Sequence, residues 1–218
     1  MIALFALISF AIAAPDASYR TANSGQPDPM AAQSRFEALR VVVRGTVENL
    51  EDPAIASFYG TSLRTISLGL VVPIWRRLAV DFEIGRAKLT PANDSDASSL
   101  QIVPISAPIE WSFGSPTGKV ATFAGLGPTF TAFSEQQPRT EEGPSVTNGA
   151  RIGGEARFGL RADLDLIHPP LPPAAAGPIE AIELEIYIAR RFQMPHDDTW
   201  TGLQFGAWRG SAGLALRF

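Results

Sequence analysis

The residues in this sequence that could perform acid–base chemistry are few. His196 stands beside Asp197 and Asp198, and the second histidine is His168. General-base catalysis requires a nucleophile within about 3 Å of the histidine, and Ser134 is a residue that folding could bring near. The sequence contains no His-x-Ser pair. We therefore interpret His196 as an ordinary polar loop residue and predict no catalytic residues.

Metal and cofactor chemistry has little support in the composition. The 218 residues include no Cys and two His, which excludes disulfide scaffolds and cysteine-ligated metal centres. A net charge of −4 also argues against a nucleic-acid partner. Acidic residues between the apolar segments could bind divalent cations, but their spacing matches no calcium loop, so we interpret them as solvated charge. They are Glu51, Asp52, Asp94, Asp96, Glu135, Glu141, Glu142, Asp197 and Asp198.

A larger set of charged residues alternates with apolar ones. From Ala150 to Leu166, the even positions are apolar or glycine and the odd positions carry the charges. A strand places every second side chain on one face, whereas a helix would scatter these charges around its circumference. We predict that the charged face forms one ion-pair network, made of Arg40, Arg44, Glu48, Asp81, Glu83, Glu110, Arg151, Glu155, Arg157, Arg161, Asp163, Asp165, Glu183, Glu185, Arg209 and Arg217.

The elements that carry these charges read as eight long strands. Period-two alternation recurs in eight segments separated by turn residues, and helical periodicity is scarce. Proline removes a donor from a sheet ladder, so we expect prolines within the predicted strands to lie at strand ends or bulges. These are Pro73, Pro104, Pro108 and Pro128, of which two fall in the fourth predicted strand, 99–113.

The alternation shows two faces without showing which one meets water. A soluble lipocalin-like barrel would bury the apolar face, whereas a membrane barrel turns it toward lipid. The predicted strands run about 10 to 16 residues, which is enough for the ~9–11 residues of a tilted membrane crossing. Long polar connections also alternate with tight ones such as 75–77 and 114–118, as in bacterial outer-membrane barrels. A third predicted turn, 167–178, is longer and rich in proline.

The last strand carries apolar residues at alternate positions, Leu214, Leu216 and Phe218. This pattern resembles the assembly signal of bacterial outer-membrane proteins. With eight predicted strands and an uncharged apolar segment at 2–14 typical of an export signal, the chain from 35 to 218 resembles the OmpA-like/opacity class of small barrels. The resemblance implies an all-β fold, an eight-stranded antiparallel up-and-down transmembrane β-barrel in the cell outer membrane. It also implies contact with outer-membrane lipids, lipopolysaccharide and the barrel-assembly machinery.

The beginning of the sequence has the pattern of an export signal. Residues 2–14 are uncharged and largely apolar, and they end in small residues. Thirteen helical residues span only ~20 Å, which is too short for a membrane-spanning helix. We predict a signal peptide at 1–13, a flexible leader at 14–34 and the barrel at 35–218.

An eight-stranded barrel has an interior just wide enough for side chains to fill. We therefore predict a lumen filled by the Arg/Asp/Glu network, without an open pore, in a protein with a structural or surface-interaction role. Two alternatives stay open. One is a lipid A acylase or deacylase on the same scaffold, with His196 as its base. The other is a soluble periplasmic lipocalin-like binding barrel.

Overall fold

The computed structural model describes residues 36–51, 53–91, 98–114, 118–136, 146–164, 179–193 and 207–218. The predicted signal peptide 1–13 and leader 14–34 lie outside these residues. Within them, the chain forms a succession of strands and one short helix. In order, these are β1 (Arg40–Leu50), α1 (Pro53–Tyr59), β2 (Ser62–Trp75), β3 (Leu78–Leu89), β4 (Ser99–Ser106), β5 (Ile109–Phe113), β6 (Val120–Gln136), β7 (Val146–Asp163), β8 (Ala181–Gln193) and β9 (Ala207–Arg217).

The sheet closes on itself because β1 pairs with both β2 and β9. Arg40 lies opposite Val71 on β2 and opposite Arg217 on β9. Neighbouring strands are antiparallel, and β4 and β5 together occupy a single position between β3 and β6. The fold is thus a closed eight-stranded antiparallel barrel, and the predicted fold class is confirmed.

The fourth predicted strand, 99–113, is interrupted between β4 and β5. Pro108 lies in this break, as expected for a residue that cannot donate to the ladder. On β6, Gly127 faces the break, where an added Cβ would come within 2.3 Å of the Pro108 Cα atom. The neighbouring Pro128 falls between the residues of β6 that pair with β5 and those that pair with β4. Its missing N–H therefore breaks no ladder bond on that side.

The other two prolines differ from one another. Pro73 lies at an irregularity where the pairing of β2 with β3 shifts register before Trp75, as predicted. Pro104 instead lies inside β4, in regular register opposite Thr131. The expectation of a strand end or bulge is wrong for Pro104, whose side chain points into the barrel and packs close to Gly85.

The barrel has two distinguishable ends. We call the end that carries the 76–77 turn and the last residues of β9 the terminal end. There the Phe218 N–H donates to the Leu39 carbonyl at 2.9 Å. The opposite end, which carries α1, is called the loop end. No helix within the described ranges is both long and apolar enough to span a bilayer.

The closed sheet decides which face of the strands is inside. Charged residues such as Arg44 and Glu185 are buried in the lumen, whereas Ile66 and Leu126 are 73% and 67% exposed on the outer surface. Large exposed aromatics lie near both ends, as in membrane-interface belts. They include Trp75, Trp111 and Phe113 toward the terminal end and Phe192 and Trp208 toward the loop end. Exposed apolar residues thus surround a charged interior.

Candidate functional site

The lumen brings most of the predicted network together. In the described part of the chain, seven arginines and eight carboxylates line it, with side chains at most 14% exposed. Each stands at an inward position of its strand. The alternation of the β-sheet therefore gathers them along the barrel axis.

The centre of the lumen contains a closed ring of alternating charge. Arg44 Nε donates to Glu185 at 2.7 Å, and Arg161 Nε donates to the other oxygen of Glu185 at 2.6 Å. Arg161 Nη2 contacts Glu110 at 2.5 Å, and Glu110 also lies 2.9 Å from Arg157. Asp81 closes the ring, because one of its oxygens lies 2.7 Å from Arg157 Nη2 and 2.5 Å from Arg44 Nη2. Within the ring, each guanidinium is thus shared by two carboxylates, and Arg44 and Arg157 also lie 3.2 Å and 3.6 Å from Glu83.

A second cluster lies between this ring and the terminal end. Glu183 is wholly buried and stands between Arg40, at 3.0 Å, and Arg217, at 2.8 Å. Arg217 also contacts Asp163 at 3.3 Å and the exposed Glu180 at 3.8 Å. These contacts join strands β1, β7, β8 and β9. They fasten the seam at which the first and last strands of the barrel meet.

A third cluster extends from the ring toward the loop end. Arg209 links Glu83, at 2.6 Å, to Glu155, at 2.8 Å. Arg191 then links Glu155, at 3.4 Å, to Glu48, at 3.1 Å. Arg191 is 2% exposed and was not among the predicted network residues. The signal for it was present, since Arg191 continues the odd-numbered charged positions of β8 after Glu183 and Glu185.

Tyr187 connects the ring to the cluster on its loop side. Its hydroxyl donates to Glu83 at 3.0 Å and accepts from Arg209 at 2.8 Å. The guanidinium carbons of Arg44, Arg157 and Arg209 all lie 5.3–5.8 Å from the centre of its ring. A single buried aromatic side chain therefore receives three cation–π contacts.

Glycines on neighbouring strands make room for Arg44. A Cβ atom at Gly69 would lie 2.2 Å from Arg44 Nη1, and one at Gly213 would lie 2.8 Å from Arg44 Cγ. The Gly213 Cβ would also meet the Val43 carbonyl oxygen at 2.6 Å. The ring therefore depends on missing side chains on β2 and β9 as well as on its charges.

An apolar plug covers the network at the loop end. We define it by its buried residues, Leu50, Tyr59, Leu63, Ala87, Leu89, Leu100, Ile102 and Phe133. Tyr59, on α1, brings the helix over the barrel, and its hydroxyl donates to Glu135 at 2.8 Å. Burial and this hydrogen bond to a carboxylate raise the pKa of Tyr59 above its ordinary range. The phenol thus stays a donor at neutral pH.

One predicted network residue that the structure describes stands apart from these clusters. Arg151 is half-buried on β7 and makes no ion pair with any residue that the structure describes. It lies beyond Glu155 toward the loop end, past the last carboxylate of its strand. Asp165 lies outside the described residues.

The described residues give little support to the predicted alternatives of a catalytic site or a metal site. Ser134 lies at an outward position of β6, while His168, His196, Asp197 and Asp198 lie outside the described residues. The described ranges hold no cluster of three or more His, Asp or Glu side chains placed to bind a metal. Glu135, one of the predicted acidic loop residues, is engaged by Tyr59. Asp52, Asp94, Asp96, Glu141 and Glu142 lie outside the description.

Glu51, another acidic residue near the loop end, forms a bidentate pair with Arg190. Arg190 also lies over the Trp208 ring, with its guanidinium carbon 5.5 Å from the ring centre. The hydrogen bond from Arg190 lowers the pKa of Glu51 below its ordinary value. The Glu51 carboxylate, on the outer surface, is therefore already paired with an arginine of the same chain.

No protein-family model matches the chain, and no curated protein matches it by sequence. Among solved structures, the fold is similar to the outer membrane protein OprG from Pseudomonas aeruginosa. The TM-score is 0.50 at 10% identity, over 84% of this chain and 97% of OprG. The N-terminal β-barrel domain of Pseudomonas aeruginosa OprF gives 0.49 at 10% identity, over 84% and 98% of the two chains. Neisserial surface protein A gives 0.49 at 13%, over 83% and 96%.

At these identities the likeness to OprG shows the fold alone, and at that level it confirms the resemblance to small outer-membrane barrels. The apolar outer surface is a second, independent indication that the barrel lies in a membrane. A bilayer interior satisfies no backbone polar group, so a closed barrel with an apolar exterior is one of the few structures that can cross it. Fold and exterior together define a small transmembrane β-barrel of the outer-membrane type.

Proposed function

We propose that this protein is an outer-membrane barrel with a structural or surface-interaction role and that its lumen does not conduct ions. The observation that carries this proposal is the closed ring of Arg44, Glu185, Arg161, Glu110 and Arg157 with Asp81. Such a ring fills the middle of the barrel with paired, buried side chains. A rigid, filled barrel is suited to holding its loops at the cell surface.

The energetics of the ring favour a permanently closed lumen. Leaving one charge of a buried pair without its partner costs about 3–5 kcal/mol. Opening a path along the axis would break several of these pairs together. The apolar plug adds a second barrier above the network, at the loop end.

Conductance across planar bilayers tests the closed lumen. We expect no steady single-channel conductance from the purified protein under conditions in which a trimeric porin conducts. A variant with a reduced plug, L63A/L100A/I102A, is expected to stay closed because the charged ring is intact. Steady conductance by the native chain would overturn the proposal. Conductance by the plug variant alone would show that the plug, and not the ring, closes the barrel.

Fractionation and surface labelling test the location and the orientation of the ends. We expect the protein in the outer-membrane fraction, with heat-modifiable migration in gels. An epitope inserted between Gln136 and Val146, at the loop end, should be labelled on intact cells. The same epitope inserted between Gly114 and Gly118, at the terminal end, should be labelled only after lysis. Recovery of the folded protein in the soluble periplasmic fraction would instead support a soluble binding barrel.

We extend the proposal to assembly. Leu214 and Leu216 occupy outward positions of β9, and Phe218 follows at the next one. We infer that the barrel-assembly machinery recognises this apolar edge. The variant L214S/L216S should accumulate less folded barrel in cells than A212S, a change at an outward small residue of the same strand. Equal accumulation would contradict the inference. Export by residues 1–13 stays a prediction.

A further inference from the structure

Four cations occupy outward positions of the described strands, and three of them lie together. Arg64 on β2 and Arg86 and Lys88 on β3 are exposed near the loop end. Ile66 lies opposite Arg86 across the two strands, which places Arg64 and Lys88 at the following outward positions toward that end. Outward neighbours on paired strands have Cβ atoms roughly 5 Å apart. The three side chains therefore form one patch, which we call the basic patch.

The basic patch has no carboxylate of its own. Arg190, the fourth outward cation, is paired with Glu51, whereas none of Arg64, Arg86 and Lys88 forms an ion pair within the described part of the chain. Arg86 makes one long hydrogen bond, 3.5 Å, to Gln101. The strands that the structure describes carry no outward carboxylate near the patch. The anion that balances these charges must therefore come from outside those strands.

The basic patch marks the edge of the apolar band. On β3, the outward residues Leu78, Val80, Phe82 and Ile84 are apolar, and the next two are Arg86 and Lys88. The same change from apolar to cationic occurs on β2, where Arg64 is the next outward residue after Ile66 toward the loop end. Cations at such an edge lie at the depth of lipid headgroups, where anionic groups attract them.

An apolar groove leads away from these cations. Its lining includes Val47, Ile66 and Gly45 with the basic patch. Gly45 lies opposite Ile66, and a Cβ atom at Gly45 would meet nothing within 4 Å. The groove is open to the outer surface of β1, β2 and β3. It offers a notch for an acyl chain directly beside a cluster of phosphate-binding groups.

We propose that the basic patch and this groove bind a phosphorylated lipid of the outer leaflet, with its phosphates on Arg64, Arg86 and Lys88 and an acyl chain along Gly45 and Ile66. This inference rests on the proposed outer-membrane location. Arginine forms bidentate hydrogen bonds with phosphate, and lysine adds a point charge. The shared chemistry is phosphate recognition, and the groove identifies the source as a lipid.

Native mass spectrometry of the detergent-purified full chain tests this site. The probes are lipid A, the same lipid after phosphatase treatment, and inorganic phosphate. We expect R86Q/K88Q to bind lipid A at least about tenfold more weakly than the native chain, from the loss of two interfacial cations. R76Q/K119Q, which removes two cations near the terminal end, should bind like the native chain. R64Q provides an independent single change in the patch and should also weaken binding.

The phosphate dependence supplies the decisive comparison. Dephosphorylated lipid A should bind the native chain and R86Q/K88Q equally, and inorganic phosphate at millimolar concentration should not compete. Equal lipid A binding by all variants would overturn the site. Competition by inorganic phosphate would show a free-anion site and overturn the lipid assignment. Heat-modifiable migration of each variant shows that the barrel is folded, so a failed site remains distinguishable from a failed membrane assignment.

Discussion

Arg44 and Glu185 are 141 residues apart in the chain, yet Arg44 Nε donates to Glu185 Oε1 at 2.7 Å inside the barrel. Their strands, β1 and β8, are not neighbours, because β9 lies between them. Both residues lie opposite Gly213 of β9, so the two side chains meet over this glycine on the inner face of the sheet. The contact shows how the network ties together strands that no backbone hydrogen bond joins.

Replacing Arg157 should destabilise the barrel more than a lipid-facing truncation on the same strand. Arg157→Leu leaves Asp81 and Glu110 each with one arginine fewer, and a broken buried pair costs about 3–5 kcal/mol. Leu160→Ala, at an outward position, removes only lipid contacts. Urea unfolding in lipid vesicles measures both free energies. Equal losses for the two variants would show that the network is hydrated and does not act as a buried ion-pair system.

Adding one methyl group at Gly213 should disturb the ring, whereas adding it at Gly210 should not. The Gly213 Cβ atom would overlap the Val43 carbonyl oxygen and the Arg44 side chain, while the Gly210 Cβ atom meets nothing within 4 Å. Overpacking of this kind costs about 1–3 kcal/mol. The midpoint of thermal unfolding in detergent should fall for G213A and stay unchanged for G210A. An unchanged midpoint for G213A would contradict the tight packing around Arg44.

Removing the Tyr187 hydroxyl should weaken the link between the ring and its loop-side cluster. Tyr187→Phe keeps the aromatic ring beside the three guanidiniums but deletes the hydrogen bonds with Glu83 and Arg209. A lost hydrogen bond to a charged group costs about 1.5–3 kcal/mol. Tyr187→Leu, which also removes the cation–π contacts, should lose more stability in the same urea titration. If the two variants are equally stable, the cation–π contacts contribute nothing measurable.

The ion pair of Glu51 with Arg190 on the outer surface should make the stability of the folded protein depend on pH. The pKa of Glu51 is lowered in the folded protein, so its contribution to stability is present above the unfolded-state pKa. That contribution is lost as the pH falls through the lowered folded-state value. Carboxyl NMR should show the Glu51 pKa rising in Arg190→Gln and staying unchanged in Arg76→Gln. An unshifted Glu51 in Arg190→Gln would show that the pair does not form in solution.

Local alternation in the sequence was sufficient to predict which side chains share a face of each strand. Alternation identified Arg157 and Arg161 as members of one face and Phe158 and Leu160 as members of the other. The same alternation includes Arg191, which is an odd-numbered residue of its strand like Glu185, although the predicted network does not contain it. The position of Pro104 inside β4 could not be predicted, because only the paired neighbours show where a ladder tolerates proline.

The sequence by itself determined which side chains share a face, because the period of a β-strand is fixed by its backbone. The tertiary structure confirmed that the charged face is inside, and it alone decided which charges meet. Pairing between strands that are not neighbours depends on barrel closure and strand stagger, which place Arg44 of β1 and Glu185 of β8 on either side of Gly213. It also depends on space, since Gly69 and Gly213 admit the Arg44 side chain only when their strands pack around β1.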